Sequence, residues 1–336
     1  MEILSNHSLL PYNTFGIDAK AEFFAQATSV EEIKEGLTFS RNKELLILGG
    51  GSNMLLQDDR KGLVLHIDLK GIEKIGEDND YYYVRVWAGE NWHQFVLYTL
   101  SQNFGGIENL SLIPGNVGAS PMQNIGAYGV EIKDVFYQLE ALNRNDLTLH
   151  TFSLKACEFD YRSSIFKTHS KDQYIILNVT YKFSKNHTIN TSYGAIDQQL
   201  QAMGVTDPDI EDVSNAVIAI RSSKLPDPNK IGNAGSFFKN PLVSTDVYLS
   251  IKAGYPDISA YPQADGSVKL AAGWLIEKAG WKGKRIQNYG VHAHQALVLV
   301  NYGGAKGKDI LQLSQDIMDG VKTKFGVELE REVNII

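Results

Sequence analysis

The chain has 336 residues, 43% of them hydrophobic and 21% charged, which is typical of a folded globular protein with two or three domains. A formal net charge of −7 argues against a nucleic-acid binder, which normally carries a basic face. The only cysteine, Cys157, excludes an internal disulfide and a thiolate zinc cluster. The first residues lack the pattern of a signal peptide, and no apolar run is long enough to span a membrane, so we expect a cytoplasmic protein.

The beginning of the chain predicts a small α/β unit. The predicted elements are, in order, a strand at 22–27, a helix at 29–38, and strands at 45–48 and 62–67. Ser29 and Glu32 form a capping box that begins the helix. The strand at 45–48 leads directly into a glycine-rich loop, and ligands commonly bind at this end of strands in α/β sheets.

The rest of the chain predicts an α+β pattern. The predicted elements are a strand at 81–88, a helix at 91–103, two antiparallel, half-exposed strands near 135–143 and 174–183, helices near 211–221, 271–279 and 308–325, and a strand at 295–301. Prolines around the helix at 211–221 make residues 204–230 the best candidate for a domain boundary.

Two glycine clusters are the strongest local feature. One is Gly49-Gly50-Gly51-Ser52-Asn53, and the other occupies residues 114–129. Glycine lets a backbone approach a ligand closely, and successive backbone N–H groups in such turns can bind phosphate. Two clusters together indicate one large phosphorylated cofactor held between two loops, the alternative being tight turns between strands.

The common nucleotide and metal motifs are absent. No G-x-G-x-x-G begins a helix, and the segment around Lys306 lacks the glycine spacing and hydroxyl of a Walker A loop. There is no G-x-S-x-G nucleophile elbow. For His292 and His294, on a predicted strand, we expect rings directed to opposite faces and therefore no bound metal.

Three polar segments carry possible chemistry. Arg162 lies beside an aromatic residue and two hydroxyls, and its planar guanidinium suits a carboxylate or phosphate, although an exposed loop arginine would look the same. Ser236 stands between a glycine and two phenylalanines, either as a turn former or as a proton donor in a dry pocket. Glu330 and Glu332 lie in an extended segment, where an inward carboxylate would need a partner or a task.

At these residues the chain closely resembles the UDP-N-acetylenolpyruvoylglucosamine reductases, flavoenzymes that complete UDP-N-acetylmuramate in peptidoglycan synthesis. The motifs that carry the resemblance are Asn13-Thr14-Phe15-Gly16, the two glycine clusters, Tyr161-Arg162-x-Ser164-Ile165-Phe166-Lys167, Lys224-Leu225-Pro226, Gly232 to Pro241, His292-x-x-Gln295-Ala296-Leu297-Val298-Leu299 and Leu329-Glu330-x-Glu332-Val333. Arg331 stands where many relatives have proline, and Ser163 where many have aspartate.

The resemblance implies an α+β fold: a vanillyl-alcohol-oxidase-type (PCMH) FAD-binding fold of two subdomains, followed by a C-terminal α+β substrate-binding domain. The implied boundaries are 1–67 for the first subdomain, rejoined by 331–336, 68–205 for the second, and 206–330 for the substrate domain. It also implies bound FAD, NADPH as co-substrate, a UDP-sugar substrate and a monomer without nucleic-acid or membrane partners.

The resemblance also implies roles for individual residues. Arg162, Ser236 and Glu332 match the catalytic positions. The matching FAD-binding positions are Gly49, Gly50, Gly51, Ser52, Asn53, Gly115, Gly118, Ala119, Ser120, Gln123, Asn124, Gly126, Tyr128 and Arg221. The matching substrate positions are Tyr193, Lys224, Asn240 and Gln295, and Tyr193 lies in a loop like the one that closes over the nucleotide in the first type of the family.

The implied reaction is NADPH-dependent reduction of an enolpyruvyl ether. Arg162 would stabilise charge developing on the substrate carboxylate, with Glu332 in its acid form as a second donor, and Ser236 would protonate the neighbouring carbon. Two alternatives remain open at this point: a flavin oxidase of the same fold that uses oxygen, and a nucleotide-sugar binding module without catalysis.

Overall fold

The computed structural model describes every residue from Met1 to Ile336. In chain order the strands are β1 (Leu4–Ser8), β2 (Lys20–Ala27), β3 (Leu45–Leu48), β4 (Met54–Leu55), β5 (Arg60–Ile67), β6 (Ile72–Glu77), β7 (Tyr81–Trp87), β8 (Gly126–Ala127), β9 (Val130–Glu131), β10 (Phe136–Asn143), β11 (Leu149–Ser153), β12 (Tyr174–Ser184), β13 (Gly232–Ser236), β14 (Leu242–Val243), β15 (Ala260–Pro262), β16 (Val268–Leu270), β17 (Arg285–Ile286), β18 (Tyr289–Val291), β19 (Val298–Asn301) and β20 (Asn334–Ile335). The α-helices are α1 (Val30–Phe39), α2 (Trp92–Ser101), α3 (Gly194–Ala202), α4 (Ile210–Lys224), α5 (Thr245–Gly254), α6 (Ala272–Lys278) and α7 (Gly307–Phe325).

The chain forms two compact units. The first contains residues 1–7, 21–50 and 60–223, and the second contains residues 8–20, 51–59 and 224–336. Two short pieces from the beginning of the chain therefore fold with its end. The division into two FAD-binding subdomains, 1–67 (rejoined by 331–336) and 68–205, and a substrate-binding domain, 206–330, stays a prediction.

The first unit begins with the predicted α/β arrangement. Strands β2, β5 and β3 are parallel neighbours in a sheet with the order β1-β2-β5-β3. The Ser29 hydroxyl accepts a hydrogen bond from the Glu32 N–H at 3.2 Å, so the predicted cap does begin α1. Ile33 and Leu37 of this helix are buried in one apolar cluster with Leu63 and Leu65 of β5, and the glycine loop follows β3 directly.

The second sheet of this unit is antiparallel, with the order β11-β10-β12-β7-β6. The prediction that the strand near 174–183 is half exposed was wrong, because β12 is the central strand and is buried along almost its whole length. Ile175 and Leu177 lie in one apolar cluster, whereas Ile176, which alternates with them, lies in another. A strand with apolar neighbours on both faces loses the alternation that a half-exposed strand shows.

The second unit is built on short antiparallel strands and one long helix. Its sheets have the orders β13-β19-β18-β17 and β14-β16-β15, and β20 pairs in parallel with β4. The predicted apolar stripe of α7 is buried, from Ile310 to Phe325, and Gly326 ends the helix with φ +68°. No helix of the chain combines the length and the apolar composition that crossing a membrane requires.

Candidate active site

The two glycine clusters meet in the first unit through Gly50. A Cβ on Gly50 would lie 2.9 Å from the Asn116 Oδ1 and 2.9 Å from the Gly115 Cα, so any larger residue would push the loops apart. Gly118 is similarly restricted, because a Cβ there would lie 2.5 Å from the Ala88 Cβ. The missing side chains therefore let Gly50 lie against the second cluster and Gly118 against Ala88, the close approach that the sequence predicts.

Buried side chains hold the second cluster in shape. The hydroxyls of Ser120 and Tyr181 are 2.8 Å apart, and both residues are almost fully buried. The buried Asn124 donates to the Glu131 Oε2 at 2.9 Å and has φ +45°. The buried Ser120 and Asn124 side chains thus stabilise the loop through hydrogen bonds to Tyr181 and Glu131.

Arg162 occupies a strained two-residue turn. Asp160 and Ser163 exchange two backbone hydrogen bonds of 3.1 and 3.2 Å, which leaves Tyr161 and Arg162 at the tip. Arg162 has φ +53°, a region that favours glycine and that costs other residues about 1–3 kcal/mol. The side chain is half-buried, which speaks against an ordinary exposed loop arginine.

A second arginine lies close to Arg162. Burial lowers the pKa of the Arg221 guanidinium, the hydrogen-bonded Tyr128 opposes that effect, and the positive charge of Arg162 lowers this pKa further. The Arg221 Nε is buried and has no hydrogen-bond partner. Tyr193 places its ring edge-on to that of Tyr128, with centroids 5.3 Å apart. Four predicted site residues therefore lie together in the first unit.

In the second unit the backbone that follows Ser236 pairs with the segment that carries Glu332. The Glu332 N–H donates to the Phe237 carbonyl at 2.8 Å, directly after Ser236. Both Ser236 and Glu332 are half-buried, whereas Glu330 is exposed and forms an ion pair with Lys239. Of the two carboxylates predicted in this segment, Glu332 is thus the one better placed for a task inside the protein.

Two predicted substrate residues meet at the start of α6. The Asn240 Oδ1 accepts from the Ala272 N–H at 3.0 Å, and the Gln295 Oε1 lies 3.3 Å from where a Cβ on Gly273 would be. The third predicted substrate residue of this unit, Lys224, is exposed and lies on a different element, at the end of α4.

The prediction that His292 and His294 direct their rings to opposite faces was wrong. Residues two apart on a strand share a face, and the ring centroids of His292 and His294 are indeed only 5.6 Å apart. No group of three or more His, Cys, Asp or Glu side chains is placed to hold a metal ion. Cys157 is fully buried, and burial raises the pKa of its thiol to about 12, which rules out a thiolate nucleophile.

Comparison with known proteins decides the family. Residues 21–152 match the family of FAD-binding domains, and residues 227–336 match the C-terminal domain of UDP-N-acetylenolpyruvoylglucosamine reductase. The reductase of Flavobacterium johnsoniae is 55% identical over 100% of both chains. That of Pseudomonas aeruginosa is 49% identical over 100% of this chain and 99% of its own. The chain belongs to the UDP-N-acetylenolpyruvoylglucosamine reductase family.

The fold agrees with this assignment. The crystal structure of the reductase from Thermus caldophilus has a TM-score of 0.68 and 22% identity over 99% of this chain and 98% of that one. The predicted α+β class with a vanillyl-alcohol-oxidase-type FAD-binding fold is therefore confirmed, as is the predicted family.

The residues of the first unit are suited to FAD, the cofactor of this family. Arg221 is a buried guanidinium whose hydrogen-bonding neighbour is the neutral Tyr128 and whose charged neighbour is another arginine. A buried positive charge with an unpaired Nε needs an anionic or hydrogen-bond-accepting ligand. The glycine loops supply the close backbone approach that a pyrophosphate or a flat ring requires. The roles of the individual residues stay predictions.

Three glycine variants separate loop packing from cofactor contact. Gly50→Ala should destabilise the protein by about 1–3 kcal/mol and weaken FAD binding, because its Cβ meets the second cluster. A Cβ at residue 49 would meet only open space, so Gly49→Ala should keep the stability and weaken FAD binding by about tenfold if the cofactor contacts it. Gly76, also in open space, provides the control. FAD titration of the apoprotein and urea unfolding measure both effects, and unchanged FAD affinity in Gly49→Ala would contradict the contact.

His93 is a neighbour of Arg221 that the sequence did not reveal, because one histidine at the start of a helix carries no pattern. The Leu112 N–H donates to the His93 Nδ1 at 3.0 Å, so this nitrogen must be unprotonated. Burial, and then the charge of Arg221, lower the pKa of His93 below its ordinary value. The positive charge of Arg221 therefore also acts on a side chain of α2, that of His93.

Acidification should therefore weaken the folded state through His93. Unfolded histidine takes up a proton as the pH falls through about 6.5, whereas folded His93 resists until a lower pH, so stability is complete above 6.5 and is lost as the pH falls from there to the folded-state pKa. His93→Asn, whose Oδ1 can still accept from Leu112, should lose less stability between about pH 7.5 and pH 5. Urea midpoints at both pH values, with the exposed His169→Asn as control, check this, and equal losses in His93→Asn and wild type would contradict it.

Proposed function

We propose that this chain uses bound FAD and NADPH to reduce the enolpyruvyl group of UDP-N-acetylglucosamine enolpyruvate, giving UDP-N-acetylmuramate for peptidoglycan synthesis. The observation that carries the proposal is Arg221, a buried guanidinium that has an unpaired Nε and a second cation, Arg162, nearby, so that it calls for an anionic ligand. Full-length identity of 55% to a relative with this activity in its name supports the same reaction.

FAD, when bound, supplies the hydride chemistry. We assign to Arg162 the substrate carboxylate, because a planar guanidinium binds a carboxylate with two parallel hydrogen bonds. Reduction of the double bond drives negative charge onto that carboxylate, and a fixed cation stabilises this charge more in the transition state than in the ground state. The strained turn at residues 160–163 holds the Arg162 backbone in one conformation before substrate arrives.

Ser236 and Glu332 supply the remaining proton and hydrogen bond. Ser236 follows Gly235, whose φ of +69° and bond from its N–H to the Asn233 Oδ1 at 3.0 Å fix the turn that presents the hydroxyl. We propose that this hydroxyl protonates the carbon next to the carboxylate. Glu332, one ladder step away, is proposed to act as the second donor to the developing charge.

The nucleotide is assigned to four residues. Asn240 and Gln295, which meet at the start of α6, and Lys224 offer amide and ammonium donors for a diphosphate and its sugar. Tyr193, 49% exposed before α3, is available to cover the nucleotide. We further propose a monomer that acts in the cytoplasm without nucleic acid, and a dimer mass in light scattering would contradict the first point.

Anaerobic spectroscopy tests the function. NADPH is expected to bleach the flavin absorbance of the purified protein, and the enolpyruvyl nucleotide is expected to restore it. A flavin that oxygen restores rapidly but the nucleotide does not would indicate an oxidase. A protein without flavin absorbance after reconstitution with FAD would indicate a binding module, and either result would overturn the proposal.

A further inference from the structure

The segment that carries Glu332 is held from two sides. On one side, the Glu332 N–H donates to the Phe237 carbonyl at 2.8 Å, and the Lys239 N–H donates to the Glu330 carbonyl at 2.9 Å. These two bonds flank the antiparallel pair of Phe238 and Arg331, whose side chains therefore share a face of the ladder.

The other side is a side-chain contact from Arg331 to α7. The Arg331 Nε donates to the Ser314 Oγ at 2.8 Å, and an Nη donates to the Gln315 Oε1 at 2.8 Å. Ser314 is fully buried, and its hydroxyl in turn donates to the Leu311 carbonyl at 2.6 Å. The guanidinium is thus fixed by acceptors on two consecutive residues of a long helix.

The neighbours of Arg331 in sequence strengthen this attachment. Leu329 and Val333 share its face by strand alternation, and both are about 4% exposed. In the pair with Phe238 the flanking bonds belong to residues 330 and 332, so the ladder does not use the N–H of Arg331. What residue 331 contributes is therefore its side chain, which joins the strand to α7.

We propose that Arg331 is a positioning residue that sets the location of the Glu332 carboxyl through its bonds to Ser314 and Gln315. The proposal rests on the catalytic role proposed for Glu332. A bond from residue 331 to a rigid helix restricts the peptide that leads into residue 332, and a displacement of about 1 Å in a catalytic group can cost up to a hundredfold in rate. Arg331 itself need not touch the substrate.

The test compares the two half-reactions in Arg331→Met, which keeps the length of the side chain and removes its donors. The limiting rate of flavin reoxidation by the enolpyruvyl nucleotide should fall about tenfold, with its half-saturation concentration and the rate of flavin reduction by NADPH unchanged. Arg331→Lys, which can still donate to Ser314, should recover most of the rate. Lys322→Met on the same helix, an exposed residue paired with Glu328, is the matched control and should behave as wild type.

Ser314→Ala gives an independent measurement if Arg331→Met does not fold. It should slow the same half-reaction about threefold. Where Arg331→Met does fold, the double variant should be no slower than Arg331→Met alone, because that change already removes the bond to Ser314. Wild-type reoxidation in Arg331→Met, or equal slowing of both half-reactions, would overturn the inference. A wild-type enzyme that the nucleotide fails to reoxidise would instead overturn the proposed function, so the two failures are distinguishable.

Discussion

Replacing Ser236 by alanine will leave flavin reduction by NADPH at the wild-type rate and slow flavin reoxidation by the enolpyruvyl nucleotide by about 10²- to 10⁴-fold. The first half-reaction needs no proton from the protein, whereas the second must protonate a carbon. Ser236 is half-buried at the end of β13, so alanine removes only the hydroxyl and leaves the strand intact. Stopped-flow absorbance under anaerobic conditions measures both rates.

Two variants make the result specific to the proton at residue 236. Ser236→Cys keeps a donor and should retain more of the second rate than alanine does. Ser250→Ala changes an exposed serine of α5 in the same unit and should leave both rates unchanged. If Ser236→Ala kept both rates at the wild-type value, the proton would come from another group.

Arg162 should give the second large effect, on activity through its guanidinium and on stability through its backbone conformation. Both Arg162→Ala and Arg162→Gly remove the guanidinium and should lower kcat/KM by about 10²-fold or more. Arg162 has φ +53°, which alanine tolerates poorly and glycine tolerates freely, so the glycine variant should be more stable than the alanine variant by about 1 kcal/mol. Steady-state kinetics and urea unfolding measure the two quantities.

The comparison of glycine with alanine isolates the backbone strain, because neither variant keeps the arginine side chain. A glycine variant that is stable but inactive would mean that the strained backbone serves to place the Arg162 side chain. Equal unfolding midpoints for the two variants would show that the positive φ costs nothing. Arg162→Lys, which keeps the charge and loses the planar fork, should lie between wild type and alanine in activity.

The strongly patterned elements were predictable because each depends on local periodicity. The stripe of α7, the cap of α1 at Ser29 and the glycine loop after β3 all lie where the sequence placed them. The central strand β12 was misjudged, since its burial depends on two layers that the pattern of one strand cannot show. The rings of His292 and His294 were misjudged because residues two apart on a strand share a face, which brings the rings together.

The site residues also fall into those that the sequence predicted and those that only the fold revealed. The family motifs named Arg162, Ser236 and Glu332, but no spacing could show that Arg221 is buried beside Arg162 with an unpaired Nε, since the two lie on different elements. The contact from Arg331 to Ser314 was equally hidden, because Arg331 appeared only as a departure from the residue common in relatives.

The family, the α+β class and the positions of the two glycine clusters can be read from residue order, because they depend on motifs and on local backbone preference. Which side chains are neighbours follows only from the fold. It brought Tyr128, Arg162 and Arg221 together in the first unit, and it joined Glu332 to Phe237 and Arg331 to α7 in the second. Burial, unpaired donors and shifted pKa values arise only from such neighbours, because electrostatic and hydrogen-bond energies depend on distance in space and not on separation along the chain.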